Sequence, residues 1–406
     1  MANTCFHNVY VGSETGLLKG VHVEKNAWNN VNTVEKLDKN NEICCMCWGN
    51  HEQTEVCFGT KSQFVHSYNI DSGEWNETET CSGGSGKFCG LSKYEKHYLT
   101  AVESGLVKVW HENTDDVVEI DAGAELCCMC HSEQNPHLVA TGGKENDFKL
   151  WDLSNAKQPI FKAKNVRNDW LNLRAPVWVL GIQFIPDSQK VITCTGYHQV
   201  RIYDPSSPQR RPVMEMTFDE YPLSAMTIRP QGTQVIVGNT QGKMGMMDLR
   251  KGQMVQCYKG FAGGIRSLQC HPTMPLVASC GLDRFLRIHH IDSGHLLHKI
   301  YLKSRLNCLL FASKWNPDVT TMTDENKADV KEKQVDVMDE GDSDNEDELW
   351  AKMEAVKTKT VLKHKADKHI TQRETKVNIH QKEPVKRPHS SENKTKPNKK
   401  RNKKHV

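Results

Sequence analysis

A pattern of about forty residues recurs seven times between residues 1 and 313, and this repeat constrains the fold more than any other feature. Each copy contains an apolar strand ending near a glycine, a tight turn, and a strand that closes on an aromatic residue or an aspartate. Because one such unit cannot bury both faces of its small sheet, the repeat predicts blades stacked around a channel, which is a β-propeller. The copies begin at Val9, Val56, Tyr98, Val139, Val191, Val235 and Val277, at spacings of 47, 42, 41, 52, 44 and 42 residues.

An inner strand precedes each copy except the first, which begins too close to Met1 to have one. The segment LNCLLFAS, Leu306–Ser313, has the same pattern but no copy after it. We therefore expect it to complete the first blade and close the ring, which removes exposed sheet edges. The predicted fold class is all-β, a seven-bladed propeller over residues 1–313. The inner strands begin at Ile43, Phe88, Leu126, Leu180, Leu223 and Ile265.

The remaining residues have a different composition, with dense charge and few apolar side chains. Residues 314–350 contain 4 basic and 13 acidic residues, a net charge of −9. Residues 351–406 contain 18 basic and 5 acidic residues, a net charge of +13. Such segments bury too little surface to fold alone, so we predict an acidic disordered linker followed by a basic disordered tail. Leu349, Trp350, Met353 and Val356 predict a short helix near 347–357 that orders on a partner, or else a hydrophobic stretch within disorder.

Several classes of protein are disfavoured by the sequence. No apolar run approaches the ~20 residues that span a bilayer, and the N-terminus lacks a signal-peptide pattern. The two CCMC runs, Cys44–Cys47 and Cys127–Cys130, lie in predicted strands, where adjacent side chains point to opposite faces, and lack a second ligand pair at zinc spacing. We expect no metal, no cofactor and no enzyme activity, because the nucleophile-elbow, phosphate-loop and zinc-protease motifs are missing.

The longest spacing, 52 residues, arises from an insertion between Phe161 and Val177. In a propeller, the loop between blades lies on the same face as the tight turns, so the insertion should lie near two of them. We predict a patch that binds protein or RNA, since long loops rarely lack a role. The alternative is a solvated loop with Trp170 packed onto the propeller. The predicted patch residues are Lys144, Asn146, Lys162, Lys164, Arg167, Asp169, Trp170, Arg174, Tyr197 and His198.

A second candidate site is the loop Pro205–Arg211, between a third and a fourth strand and therefore expected on the opposite face. Arg210 and Arg211 suit phosphate or acidic protein. A solvated, proline-stiffened loop is the alternative interpretation.

The tail carries two further signals. Ser343 lies in an acidic run that acidophilic kinases favour. A two-part basic cluster is typical of nuclear and nucleolar targeting and of RNA contact. Its members are Lys386, Arg387, Lys399, Lys400, Arg401, Lys403 and Lys404.

Generic WD-repeat motifs are sparse: Trp151-Asp152 matches, whereas Tyr203-Asp204 and Met247-Asp248 are degenerate. Longer strings, among them TGGKENDFKLWDL, FKAKNVRNDWLNLR and TCTGYHQVRIYDPSSPQRRPV, resemble the WD-repeat protein 74 family of nucleolar ribosome-assembly factors. The resemblance implies a scaffold in pre-60S large-subunit assembly and pre-rRNA processing, in contact with pre-ribosomal proteins and pre-rRNA. It also implies a nuclear AAA ATPase and the exosome RNA helicase as partners. The alternative is a propeller adaptor for ubiquitin ligation or signalling.

Overall fold

The computed structural model describes residues 7–34, 37–110 and 118–315. These residues form seven four-stranded antiparallel sheets, so the predicted all-β, seven-bladed propeller is confirmed. Helical structure in the described part of the chain is limited to two three-residue 3₁₀ turns, Lys39–Asn41 and Leu153–Asn155. None of the described residues therefore belongs to a helix that could cross a membrane.

Each blade takes four strands, ordered from the channel outward. Blades 1 to 3 contain β1 (Val9–Ser13), β2 (Leu18–His22), β3 (Ala27–Asn30); β4 (Ile43–Trp48), β5 (Glu55–Thr60), β6 (Phe64–Asn69), β7 (Glu79–Thr80); β8 (Phe88–Tyr94), β9 (His97–Val102), β10 (Leu106–Trp110) and β11 (Val118–Asp121). Blades 4 and 5 contain β12 (Leu126–His131), β13 (Leu138–Gly143), β14 (Asn146–Asp152), β15 (Phe161–Lys162); β16 (Val179–Phe184), β17 (Val191–Thr195), β18 (Gln199–Tyr203) and β19 (Met214–Thr217). Blades 6 and 7 and the last strand are β20 (Leu223–Ile228), β21 (Gln234–Asn239), β22 (Met244–Asp248), β23 (Gln253–Tyr258); β24 (Ile265–Cys270), β25 (Leu276–Gly281), β26 (Phe285–His290), β27 (Leu296–Tyr301); and β28 (Leu306–Phe311).

The ring closes between the two ends of the propeller chain. β28 pairs antiparallel with β1, with Val9 opposite Phe311 and Val11 opposite Leu309. These four side chains are buried in one cluster with residues of blade 7. On its other side β28 contacts β4, the inner strand of blade 2. The predicted closing strand is confirmed, while the boundary at residue 313 stays a prediction.

Every inner strand carries a β-bulge after its first residue. In blade 2, for example, Ile43 pairs with Thr60 and Cys45 pairs with Gly59, which leaves Cys44 unpaired. Such a bulge bends and twists a strand, and here it recurs with the blade period. The bulged residues are Cys44, Cys89, Cys127, Leu180, Ser224, Arg266 and Asn307.

Two third strands end on a tryptophan that is tied to its own blade. Trp151 Nε1 donates to Thr141 Oγ1 at 2.9 Å, and Trp110 Nε1 donates to Thr100 Oγ1 at 2.8 Å. Trp151 is buried with Leu99 of blade 3, so it packs across the interface between blades. A buried indole needs such an acceptor, because an unpaired N–H costs about 1–3 kcal/mol.

Candidate partner-binding surface

The insertion, residues 163–178, joins outer strand β15 of blade 4 to inner strand β16 of blade 5. Its end is tied to the blade 4 turn. Glu145 N donates to Val177 O at 2.8 Å, and an exposed ion pair of 3.1 Å joins Arg174 to Glu145. Lys144 forms an isolated bridge with Trp178. The structure therefore places the insertion beside the first turn, as its position between blades predicts.

The second turn, at Tyr197 and His198, meets the same end of the insertion. Gly196 N donates to Trp178 O at 2.8 Å, and the rings of Trp178 and Tyr197 lie 6.1 Å apart in an edge-to-face arrangement. Lys144 Nζ lies 5.9 Å from the Trp178 ring. Trp178 thus connects both turns. Sequence reasoning missed it because it follows the segment that the repeat spacing marks as extra.

The middle of the insertion is a turn built by one carboxylate. Asp169 Oδ1 accepts from Leu171 N at 2.9 Å and from Leu173 N at 2.8 Å. Asn172 adopts a φ of 61°, a left-handed conformation that asparagine tolerates better than most residues. Asp169, which the sequence suggested as a partner contact, therefore shapes the turn from within.

Trp170 is 89% exposed at this turn, so the alternative in which it packs onto the propeller is wrong. Leu171 and Leu173 beside it are 56% and 59% exposed. We call these three side chains the apolar tip. Large apolar side chains grouped on a structured surface loop mark a place where another molecule docks. The two leucines were missed because a loop assignment alone does not tell which side chains face water.

Asn146 is withdrawn from the predicted patch because it is buried. Its side-chain amide donates to the backbone oxygens of Ala122, Gly123 and Ala124 at 2.8–3.0 Å, so it anchors the preceding inter-blade loop. His198 is half-buried and has a φ of 52°, which makes it a backbone element of its turn. The remaining residues of the predicted patch are exposed, namely Lys144, Lys162, Lys164, Arg167, Arg174 and Tyr197.

The loop Pro205–Arg211 is not a separate site on the opposite face, as the alternation of loops predicted. Arg210 O accepts from Lys164 N at 2.8 Å, and Arg210 Nε donates to Lys162 O at 2.7 Å. Arg211 Nε donates to Asn165 O at 3.1 Å. The loop is long enough to reach across the outer wall between blades 4 and 5, where it joins the start of the insertion. Two predicted sites are therefore one continuous surface.

The charge beside this surface is positive. Asp147 is surrounded by Arg174, Lys162 and Lys149, yet burial raises the pKa of its carboxyl above the ordinary value, because desolvation outweighs the three cations. Burial also lowers the pKa of Lys149, with Lys162 acting in the same direction. The exposed cations of the insertion are thus accompanied by little opposing charge.

The CCMC runs lie in inner strands β4 and β12. Burial raises the pKa of Cys44 to about 12 and that of Cys127 above its ordinary value, so both thiols are protonated near neutral pH. Among the described residues, no group of three metal-ligating side chains is arranged to hold an ion. Metal ligation would require thiolates, which this environment disfavours.

The predictions for the tail lie outside the described residues. They comprise the helix near 347–357, Ser343, and the basic cluster Lys386, Arg387, Lys399, Lys400, Arg401, Lys403 and Lys404.

Seven four-stranded blades, closure between the ends of the ring and tryptophan–threonine pairs in the third strands define a WD-repeat β-propeller. A WD domain, G-beta repeat, is matched at residues 252–290. The chain is 45% identical over 358 residues to WD repeat-containing protein 74 of Homo sapiens, covering 86% of this chain and 90% of that protein. The mouse protein of that name is 45% identical over 360 residues, covering 87% and 91%. The chain belongs to the WD repeat-containing protein 74 family, which confirms the resemblance.

A more distant relative carries a functional name. Ribosome biogenesis protein nsa1 of Schizosaccharomyces pombe is 26% identical over 294 residues, which cover 64% of this chain and 71% of that protein.

Proposed function

We propose that this protein is a non-enzymatic ribosome biogenesis factor that acts as a scaffold in the nucleolus during assembly of the large ribosomal subunit and processing of its precursor RNA. Membership of the family and the ribosome biogenesis name of a relative support this role. The basic cluster of the tail would supply nuclear and nucleolar targeting.

Two partners follow from the family resemblance, a nuclear AAA ATPase and the RNA helicase of the exosome. A scaffold that meets an ATPase and a helicase needs several separate surfaces. A propeller presents two faces and an outer wall on a rigid ring. The tail is a further docking segment in this proposal.

The observation that carries the docking role is the apolar tip. Trp170 is 89% exposed, yet the turn beneath it is held by two hydrogen bonds to Asp169. An anchor whose backbone is already ordered loses little conformational freedom on binding, so more of its buried area contributes to affinity. We infer that the tip inserts into a protein component of the precursor particle.

The test removes the tip without touching the turn, by replacing Trp170, Leu171 and Leu173 with alanine in the full chain. We expect at least a thirtyfold loss of binding to large-subunit precursors in nuclear extract, because a desolvated tryptophan anchor contributes about 2 kcal/mol or more. The melting temperature should not change, since these side chains are exposed.

The matched control is the alanine triple variant of Met254, Val255 and Leu297, which are about half exposed on blades 6 and 7. It should co-sediment with precursors as the unmodified protein does. Unmodified protein that stays in light fractions would instead favour the adaptor function, and precursor binding that survives loss of the tip would exclude the tip as anchor.

A further inference from the structure

A groove of about 600 Å³ lies where the insertion meets the loop of blade 5. Four of its eight lining residues are basic and none is acidic, the others being Val166, Pro208, Gln209 and Pro212. We call the four cations, Lys164, Arg167, Arg210 and Arg211, the basic groove.

The two arginines are held in place by their inner nitrogens. Arg210 Nε donates to Lys162 O at 2.7 Å and Arg211 Nε to Asn165 O at 3.1 Å. Their terminal amines make no hydrogen bond to another described residue. Each guanidinium thus keeps two donors for a ligand, on a group whose position is already fixed. Paired donors of this kind match the oxygens of a phosphate.

The charge of the groove is not neutralised from within. None of its four cations forms an ion pair with any residue that the structure describes. Four like charges held at one place repel one another, and an anionic ligand relieves that repulsion. The ligand is therefore polyanionic.

We infer that the basic groove binds the phosphodiester backbone of single-stranded RNA. This inference rests on the proposed function, since it names an RNA partner for the same surface. An acidic peptide is the competing polyanion, but peptide recognition normally adds apolar pockets for anchoring side chains. The apolar lining here comes from Val166 and two prolines, without a leucine, isoleucine or aromatic side chain. A sugar–phosphate backbone needs cations and hydrogen-bond donors, which this groove supplies.

The experiment measures binding of the purified full chain to a fluorescein-labelled single-stranded RNA of about 12 nucleotides and mixed sequence. The first variant combines Arg210→Gln and Arg211→Gln. The second combines Lys164→Gln and Arg167→Gln, whose side chains make no hydrogen bond within the described structure, so the loops keep their contacts. The control combines Arg250→Gln and Lys251→Gln, an exposed basic pair on blade 6.

The tail also attracts RNA, so every variant is made a second time with Lys399, Lys400, Arg401, Lys403 and Lys404 replaced by glutamine. In that background we expect each groove variant to bind about tenfold more weakly. The slope of log affinity against log salt should fall by about 1.4 for two lost phosphate contacts. The control should change affinity less than about twofold.

Equal losses in the groove and control variants would overturn the inference, because they would show general attraction to positive charge. So would an unchanged affinity of the Lys164→Gln, Arg167→Gln variant. Displacement of the RNA by an oligoglutamate at lower concentration than by unlabelled RNA would assign the groove to an acidic protein. If these outcomes occur while the protein still co-sediments with large-subunit precursors, the proposed function stands and the RNA site alone fails.

Discussion

Two connections between blades occupy the same topological position and treat their aromatic residue in opposite ways. Between blades 6 and 7, residues 259–264, Phe261 stacks on His289 at 5.4 Å and lies 4.9 Å from the guanidinium of the buried Arg287. Between blades 4 and 5, Trp170 extends into solvent. The short connection has no choice but to lie on the blade beneath it. Ten extra residues free the long one from the core, so its tryptophan is available to a partner.

The largest expected difference concerns the ion pair at each turn. Asp283 and Arg287 form a 2.6 Å pair with side chains 6% and 2% exposed, whereas Glu145 and Arg174 are about half exposed. Asp283→Asn leaves a buried guanidinium uncompensated and should lower the free energy of unfolding by about 3 kcal/mol or more. Glu145→Gln should cost less than about 1 kcal/mol. Denaturant unfolding of both variants measures this, and equal losses would contradict the contrast.

The aromatic residues themselves give the next effect. Phe261→Ala removes a packed ring and should destabilise the propeller by about 2–3 kcal/mol. Trp170→Ala should change stability by less than about 0.5 kcal/mol, because an exposed side chain has few contacts to lose. Thermal melting of the two single variants compares them directly. A destabilised Trp170→Ala would mean that the tip belongs to the core after all.

A pH series sharpens the comparison from the packed side. Burial, with help from Arg287, lowers the pKa of His289 below its ordinary value of 6.5, although a hydrogen bond to Lys259 O acts against this. Below pH 6.5 the unfolded chain therefore takes up a proton that the folded protein resists, so stability is full above this pH and falls beneath it. Burial also lowers the pKa of His7, to about 4, so the whole protein should melt earlier in acid.

His289→Gln should make the drop in melting temperature between about pH 7 and about pH 5 smaller by about 2 °C. Trp170→Ala serves as the control and should retain the full drop. A His289→Gln variant with an undiminished drop would show that other groups account for the acid sensitivity.

The smallest effect lies in the turns. His198 and Arg284 occupy equivalent positions in blades 5 and 7, with φ values of 52° and 69° that strain a side chain other than glycine. Replacing either with glycine should stabilise the fold by about 0.5 kcal/mol, and chemical denaturation resolves a change of that size. Weaker precursor binding by His198→Gly would return His198 to the binding surface.

The propeller was predictable because its evidence is repetitive and local. Alternation within each copy marks the strands, and an inner-strand pattern at Leu306–Ser313 with no copy after it is enough to predict closure of the ring. The insertion was visible for the same reason, since it breaks the spacing. Asn146 was misjudged because an amide in a turn serves a partner or its own backbone equally well, and the choice depends on which carbonyls lie within 3 Å.

The sequence by itself determined the number of blades, their boundaries and the place of the extra loop, because strand alternation and turn residues are properties of neighbouring amino acids. Only the tertiary structure decided that Trp170 stays in solvent and that Arg210 and Arg211 reach across to the insertion. Those outcomes depend on contacts between residues more than forty positions apart, where the path of each loop over the surface sets which groups meet. The basic groove exists through that meeting of two loops.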